Sequence, residues 1–332
     1  MTNTTVVTAP RQRSVRRSLP ALGLFFLSPL VAEFLLGNIP ISAMFALFGL
    51  APLYGGGAVL IRELVRRRGW GYPSVVVLAL AYGVLEEGIT TQSLFNPNYA
   101  DQRLLDPGHI GFLGMGAPWT VFVLGLHTIW SITVPIVLVE SMSRRPREPW
   151  LGKVGLSVYG ALFVVGIIST TAIQLGMDSF VASPAQFAGV VVAIAVLIVV
   201  AIRIGRRTPK STAGKVPTPW LFAVAGLVVS SGWMLISDLV QNGWLGAALM
   251  LAISIAAAVV LVRTSRRTGW TRQHALAIAG GTMLTYAWHA FPEDPIFPAP
   301  HVVDLIGNVV FAVLAVALLI SATIRCDKFS RS

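Results

Sequence analysis

Apolar stretches of about 20 residues recur ten times along the chain, each separated from the next by a polar link. A helix needs about 20 mostly apolar residues to cross the hydrocarbon core of a bilayer. Backbone polar groups find no water there, so an open chain can span only as helices or as a closed barrel. The runs are too long and too continuous for barrel strands, and they confine the chain to an all-α, polytopic membrane helix bundle. The expected spans are 19–37, 41–62, 73–94, 118–141, 154–177, 184–204, 219–240, 244–263, 273–291 and 302–325. With 55% hydrophobic and 12% charged residues, the composition falls outside the usual soluble range and agrees.

Orientation follows from the basic residues. Of the 25 Lys and Arg, all but Arg103 fall in six clusters: Arg11 to Arg17, Arg62 to Arg68, Arg144 to Lys153, Arg203 to Lys215, Arg263 to Arg272 and Arg325 to Arg331. With ten spans these clusters occupy one side, which the positive-inside rule makes cytoplasmic, together with both termini. Miscounting one helix would scramble the alternation. Clusters spread between apolar runs are the pattern of cytoplasmic loops and not of a nucleic-acid face, so the net charge of +11 implies no nucleic-acid partner. The partner is the lipid bilayer, here a bacterial inner membrane.

The domain reading is a basic cytoplasmic tail over 1–18, one transmembrane domain over 19–325, and a cytoplasmic tail over 326–332. A flexible link rich in Thr, Ser, Gly, Pro and Lys interrupts the domain near 205–219. The arginines before Leu19 resemble a signal peptide, but the apolar run continues to about Leu36 and carries Glu33, so it reads as an uncleaved first helix. Cys326 is the only cysteine and allows no intrachain disulfide. The outer links 95–118 and 291–301 read equally as lids or as stiff surface loops.

Against this apolar background Glu86 and Glu87 are adjacent inside the third span, in AYGVLEEGITTQS. A charge at the bilayer centre costs roughly 3 kcal/mol on insertion scales, so such residues face the protein interior and are paired or functional. At 1.5 Å of rise per residue, Glu87 lies about seven residues below the outer end of its helix and His127 about nine below the same surface in the next. The two helices are consecutive and antiparallel, so the glutamates and the imidazole are expected to meet. An α-helical projection places Tyr82, Glu86, Thr90 and Ser93 on one face, Glu87 and Thr91 beside it, and Thr120, His127 and Ser131 on a stripe of the fourth helix. Glu33, Tyr286, His289, Asp304 and Asn308 add polarity in the same outer half. Glu63 and Glu140, near cytoplasmic arginines, read as solvated or paired charges, with Glu63 near Arg66 and Arg67 and Glu140 near Arg144. Gly55, Gly56 and Gly57 are read as allowing close helix approach.

Three chemistries fit carboxylates beside imidazoles in a dry pocket. A glutamate with His127 activates water for attack on an amide or ester, with Asn308 as an oxyanion donor. Alternatively, Glu86, Glu87, His127 and His289 hold a divalent metal that is not required by the first scheme. In the third, protonation couples to movement of a small solute or ion, along a path through Glu33, Tyr82, Thr91, Ser131, His289 and Asp304. A hydrogen-bonded core without catalysis is the structural alternative.

The Glu86-Glu87 pair followed forty residues later by His127 resembles the CPBP family, the CAAX-protease and bacteriocin-processing membrane proteins, whose motifs are EExxxR, FxxxH and HxxxN or HxxxD. The resemblance covers about Val84 to Ser131. Thr91 stands at the arginine position, Val123 at the phenylalanine position with Phe122 displaced by one, and His301, Asp304 and Asn308 are nearest to the third motif. It implies a glutamate-dependent intramembrane peptidase acting on a membrane-associated peptide, with Glu86, Glu87 and His127 at its centre. LYGGGAVLIRELVRRRGWG and SLFNPNY resemble segments of uncharacterised multi-spanning bacterial membrane proteins.

Overall fold

A computed structural model describes residues 12–207 and 210–330, with side chains from Ser18 to Phe329 apart from 208–209. The expected terminal tails are therefore described only from Gln12 and up to Ser330; Arg11 and Arg331 lie outside the described residues. Among the described residues ten long helices follow in order: α1 Gln12–Pro29, continued by Leu30–Phe34; α2 Ala46–Arg67; α3 Tyr72–Thr90; α4 Ala117–Met142; α5 Lys153–Met177; α6 Pro184–Gly205; α7 Pro219–Leu239; α8 Gly243–Ser265; α9 Arg272–His289; α10 His301–Ser330. Eight are long and apolar enough to cross a membrane; the apolar part of α1, Ser18–Phe34, is shorter. Helix α9 opens on Arg272, Gln273 and His274, ends on His289 and lies inside the bundle. The architecture is the all-α polytopic bundle that the apolar periodicity predicts. A two-stranded hairpin, β1 His109–Ile110 with β2 Met115–Gly116, is the sheet among the described residues.

Burial divides the helices into inner and outer sets. In α2, α3 and α4 the buried share of the span is 61%, 67% and 61%, against 6%, 11% and 17% in α5, α6 and α8. The first three bring the polar residues to the centre, and the last three show apolar Val, Ile and Leu outward, as a lipid-facing surface requires. Small residues set the inner spacing. A Cβ on Gly55 would lie 1.9 Å from the Phe25 carbonyl oxygen of α1, and one on Gly281 of α9 the same distance from Ala223 O of α7. Without a hydrophobic force between helices in lipid, such close approach supplies packing. Aromatic contacts lock α4 to α9: Trp130 stacks on Tyr286 at 4.6 Å between ring centroids and donates from Nε1 to Thr282 O at 2.9 Å.

At the basic end the expected pairing of the glutamates with arginines holds, Glu63 with Arg67 included, but the setting differs. Glu63 and Glu140 are not solvated but buried, with Arg62 fully enclosed beside them. Glu140 pairs with Arg62 at 3.0 Å and Arg66 at 2.6 Å, in place of the expected Arg144, and accepts from Tyr72 at 2.8 Å. Glu63 pairs with Arg62 at 2.7 Å and Arg67 at 3.3 Å and accepts the backbone amides of Trp150 and Leu151. Arg62 also donates to Pro146 O at 2.8 Å and stacks under Trp150 at 3.4 Å. The physical reason is that the 143–152 link folds under α2 and shuts water out. In the link between α6 and α7, Thr212 pairs with Arg267, and His274 Nε2 lies 2.9 Å from Pro217 O, so its described part is tied to the start of α9.

Removing one partner of a buried, hydrogen-bonded ion pair leaves an uncompensated charge and costs about 3 to 5 kcal/mol. Glu140→Gln is accordingly expected to lower the thermal unfolding midpoint of the detergent-solubilised protein sharply, whereas Glu148→Gln, on an exposed pair with Arg145, leaves it unchanged.

Candidate functional site: a buried carboxylate and imidazole centre

Three helices depart from α-helical winding, and each does so where it carries a candidate residue. Leu35 N bonds Leu30 O at 2.9 Å, Thr91 N bonds Glu86 O at 2.8 Å, and Val134 N bonds Ile129 O. These are five-residue steps that widen the turns Leu30–Phe34, Glu86–Thr90 and His127–Thr133. Such π-bulges insert one residue into a helix and are frequent at functional sites. The carbonyls they release are taken up by hydroxyls: Ser28 Oγ donates to Ser131 O at 2.5 Å and Thr133 Oγ1 to Thr128 O at 2.6 Å. Glu33, the Glu86–Glu87 pair and His127 are thereby turned into one interior space.

Within it His127 lies between the two glutamates. Its Nε2 donates to Glu87 Oε1 at 2.6 Å, and its Nδ1 lies 3.1 Å from Glu86 Oε2 and 3.2 Å from Ser131 Oγ. All three residues are buried. Glycine makes the approach possible, because a Cβ on Gly83 would stand 3.1 Å from the Cβ of His127. The Tyr54 and Tyr82 rings flank the imidazole at 5.9 and 6.1 Å. Glu33 accepts the Tyr54 hydroxyl and, at 2.9 Å, the Asn38 side-chain amide.

The two glutamates are in opposite situations. Glu87 is saturated: besides His127, it accepts Thr91 Oγ1 at 3.0 Å and the Ser93 hydroxyl, which in turn accepts Trp119 Nε1 at 3.2 Å. Glu86 Oε2 is ion-paired with Nδ1 but out of hydrogen-bond alignment, and with Tyr82 OH and Thr90 Oγ1 it is buried without a hydrogen-bond partner among the described residues. Orphaned buried polar atoms are rare and call for an explanation such as a catalytic role or a bound species. The nearest ligand atoms of Glu86, Glu87 and His127 lie within 4.8 Å of one another, a spacing that could also hold a metal ion.

The structure thus brings together Glu86, Glu87 and His127 with Glu33, Tyr82, Thr91 and Ser131. It places the others elsewhere. Asn308 Nδ2 donates to Ala290 O at 3.0 Å and Asp304 Oδ2 at 3.2 Å, which occupies the expected oxyanion donor. His289 pairs with Asp238 and Glu293 at 3.0 and 3.3 Å and belongs to a second cluster. In that cluster, burial holds the loop residue Glu293 above the usual carboxylate range, with His289 acting in the opposite sense. The α-helical projection also assigned Ser93 to the face of Glu86. Helix α3 ends at Thr90 rather than near Leu94, and Gln92 turns the chain with a φ of 57°, so Ser93 folds back onto Glu87. Gln92 is held by accepting Ala182 N at 2.7 Å, and Asn96 donates to Asp178 at 2.5 Å, so the 91–116 link docks on the α5–α6 link and covers the outer end of the centre. Tyr54, Ser28, Asn38 and Trp119 were missed as site residues. For Tyr54, a hydroxyl in an apolar span at the depth of Glu33 was the available signal.

The asymmetry has a measurable consequence. Glu87→Gln swaps an acceptor for an amide facing three donors and is expected to cost roughly 1 to 3 kcal/mol, the penalty for leaving buried partners unmet. Glu86→Gln, which gives up only the unaligned pairing with His127 Nδ1, should cost less in the same thermal unfolding assay. Equal effects would contradict the assignment of a saturated and a less engaged carboxylate.

A family model described as an uncharacterised membrane protein family matches residues 22–330. The CPBP family of the motif resemblance gives no match, so that resemblance is not confirmed. No curated protein and no solved structure matches the chain.

Proposed function

The chain belongs to that uncharacterised membrane protein family, and we propose that it is a membrane-embedded hydrolase in which Glu86 activates water and His127, held by Glu87, serves as its partner in proton transfer. The observation that carries this reading is the division of labour around one imidazole. A general base needs a free lone pair, and its partner needs a group that fixes ring and tautomer. Glu86 has the first and Glu87 supplies the second. Glu86 takes a proton from water as the oxygen attacks an amide or ester carbonyl. The Tyr82 hydroxyl, buried without a hydrogen-bond partner in the same centre, is the donor to the developing oxyanion, and the proton that Glu86 takes passes to His127 Nδ1 and from there to the leaving group. The scissile bond belongs to a peptide or lipid that reaches the outer half of the bilayer. By the positive-inside rule both termini are cytoplasmic, and the membrane we assign it to is a bacterial inner membrane.

Charge count supports a centre that handles protons or cations. At the basic end, Arg62 and Arg66 balance Glu63 and Glu140. In the outer half, Glu33, Glu86 and Glu87 face His127 alone, so uptake of protons or of a cation is needed for balance. This favours a second reading, proton-coupled transport of a small solute. Here Glu33 and Tyr54 extend the relay to α1.

The two readings separate by assay. Reconstituted wild type, Glu86→Gln, His127→Gln and Glu33→Gln are compared for cleavage of a peptide and lipid-ester library and for proton flux in vesicles. Hydrolysis predicts that Glu86→Gln and His127→Gln lose about a hundredfold or more in rate, with Glu33→Gln largely active. Flux abolished by Glu33→Gln with no cleavage by wild type points to transport. If Glu86→Gln and His127→Gln match wild type in both assays, both readings fall.

A further inference from the structure

At the end of the bundle opposite the arginines, a second group of ligating side chains stands on three separate elements. His289 closes α9, Asp238 lies in the last turn of α7, and Glu293 lies in the link to α10, which Pro292, Pro295, Pro298 and Pro300 stiffen. The His289 ring is buried, while the two carboxylates are partly open to solvent. Asp238 Oδ2 is 3.0 Å from Nε2, in hydrogen-bond geometry, so the ring proton belongs on Nε2. That leaves the Nδ1 lone pair. Nδ1 is buried and without a hydrogen-bond partner, and Glu293 Oε1 stands 3.3 Å away.

With the proton on Nε2, a lone pair and a carboxylate oxygen face each other at a distance where they repel unless a second ring proton or a metal ion lies between them. Two ligands at about 2.1 Å from a tetrahedral zinc ion are separated by about 3.4 Å, close to the 3.3 Å found here. Asp238 has the place of the carboxylate that orients a metal-binding histidine through its other nitrogen. Imidazole with carboxylate is a donor set that suits zinc and related divalent transition ions. We propose that His289 Nδ1 and Glu293 bind a divalent transition metal ion on the outer face, with Asp238 orienting the imidazole and water completing the coordination. The site is separate from the Glu86, Glu87 and His127 centre and does not depend on the reaction proposed there. A metal at this point ties the proline-rich link to the ends of α7 and α9.

The test uses the full-length protein in detergent, stripped with a chelator and titrated with cobalt(II), read by visible absorption and by bound metal per chain. Wild type is compared with Glu293→Gln, His289→Gln, Asp238→Asn and His127→Gln. Glu293 is partly exposed, so its isosteric change leaves the fold intact. The proposal expects one equivalent that persists in His127→Gln, is lost or weakened at least tenfold in Glu293→Gln and His289→Gln, and is weakened about 10- to 100-fold in Asp238→Asn, as for other orienting partners. It is overturned if wild type takes up no cobalt, if uptake disappears only in His127→Gln, or if Glu293→Gln binds as wild type does.

Discussion

Burying charge where water cannot follow is the constraint on which this structure turns. An ion removed from water is tolerated when partners and hydrogen bonds replace its hydration. At the basic end that condition is met in full: two arginines, two glutamates, backbone groups of the 143–152 link and an indole face enclose one another. In the outer half the acids outnumber the imidazole, and several polar atoms lack partners. The same physics therefore yields a closed ion-pair network at one end, which ties α2 to α4, and a centre of incompletely matched carboxylates at the other.

Local winding converts this constraint into geometry. In a regular α-helix Glu86 and Glu87 are about 100° apart, so presenting both to a single residue is awkward. The wide turn beginning at Glu86, opposed by another beginning at His127, lets both carboxylates address one ring. Carbonyls left open by such turns would be expensive in lipid. Ser28 and Thr133 take them up, so the hydroxyls in these apolar spans have a definite task.

Much of this is legible in the chain itself. The helix number follows from runs of apolar residues set against basic links, because the bilayer imposes both. The meeting of Glu87 with His127 follows from depth along two antiparallel helices. What escapes reading depends on tertiary closure or on irregular winding. Glu63 and Glu140 lie beside arginines at a membrane border, where a solvated and a paired charge read alike, and only the folded link shows that water is excluded. Ser93 moves to the other glutamate because one wide turn and an early helix end break the projection. Asn308 is at a suitable depth, yet Ala290 and Asp304 engage it, a choice set by how α10 meets α9.

Helix α4 spans both regimes, with Glu140 clamped by two arginines near its inner end and His127 in the wide turn above. Between them lies Pro135, which has no amide hydrogen to give its helix. The inner charge network and the outer imidazole are thus carried by one rod that lacks a backbone hydrogen bond between them.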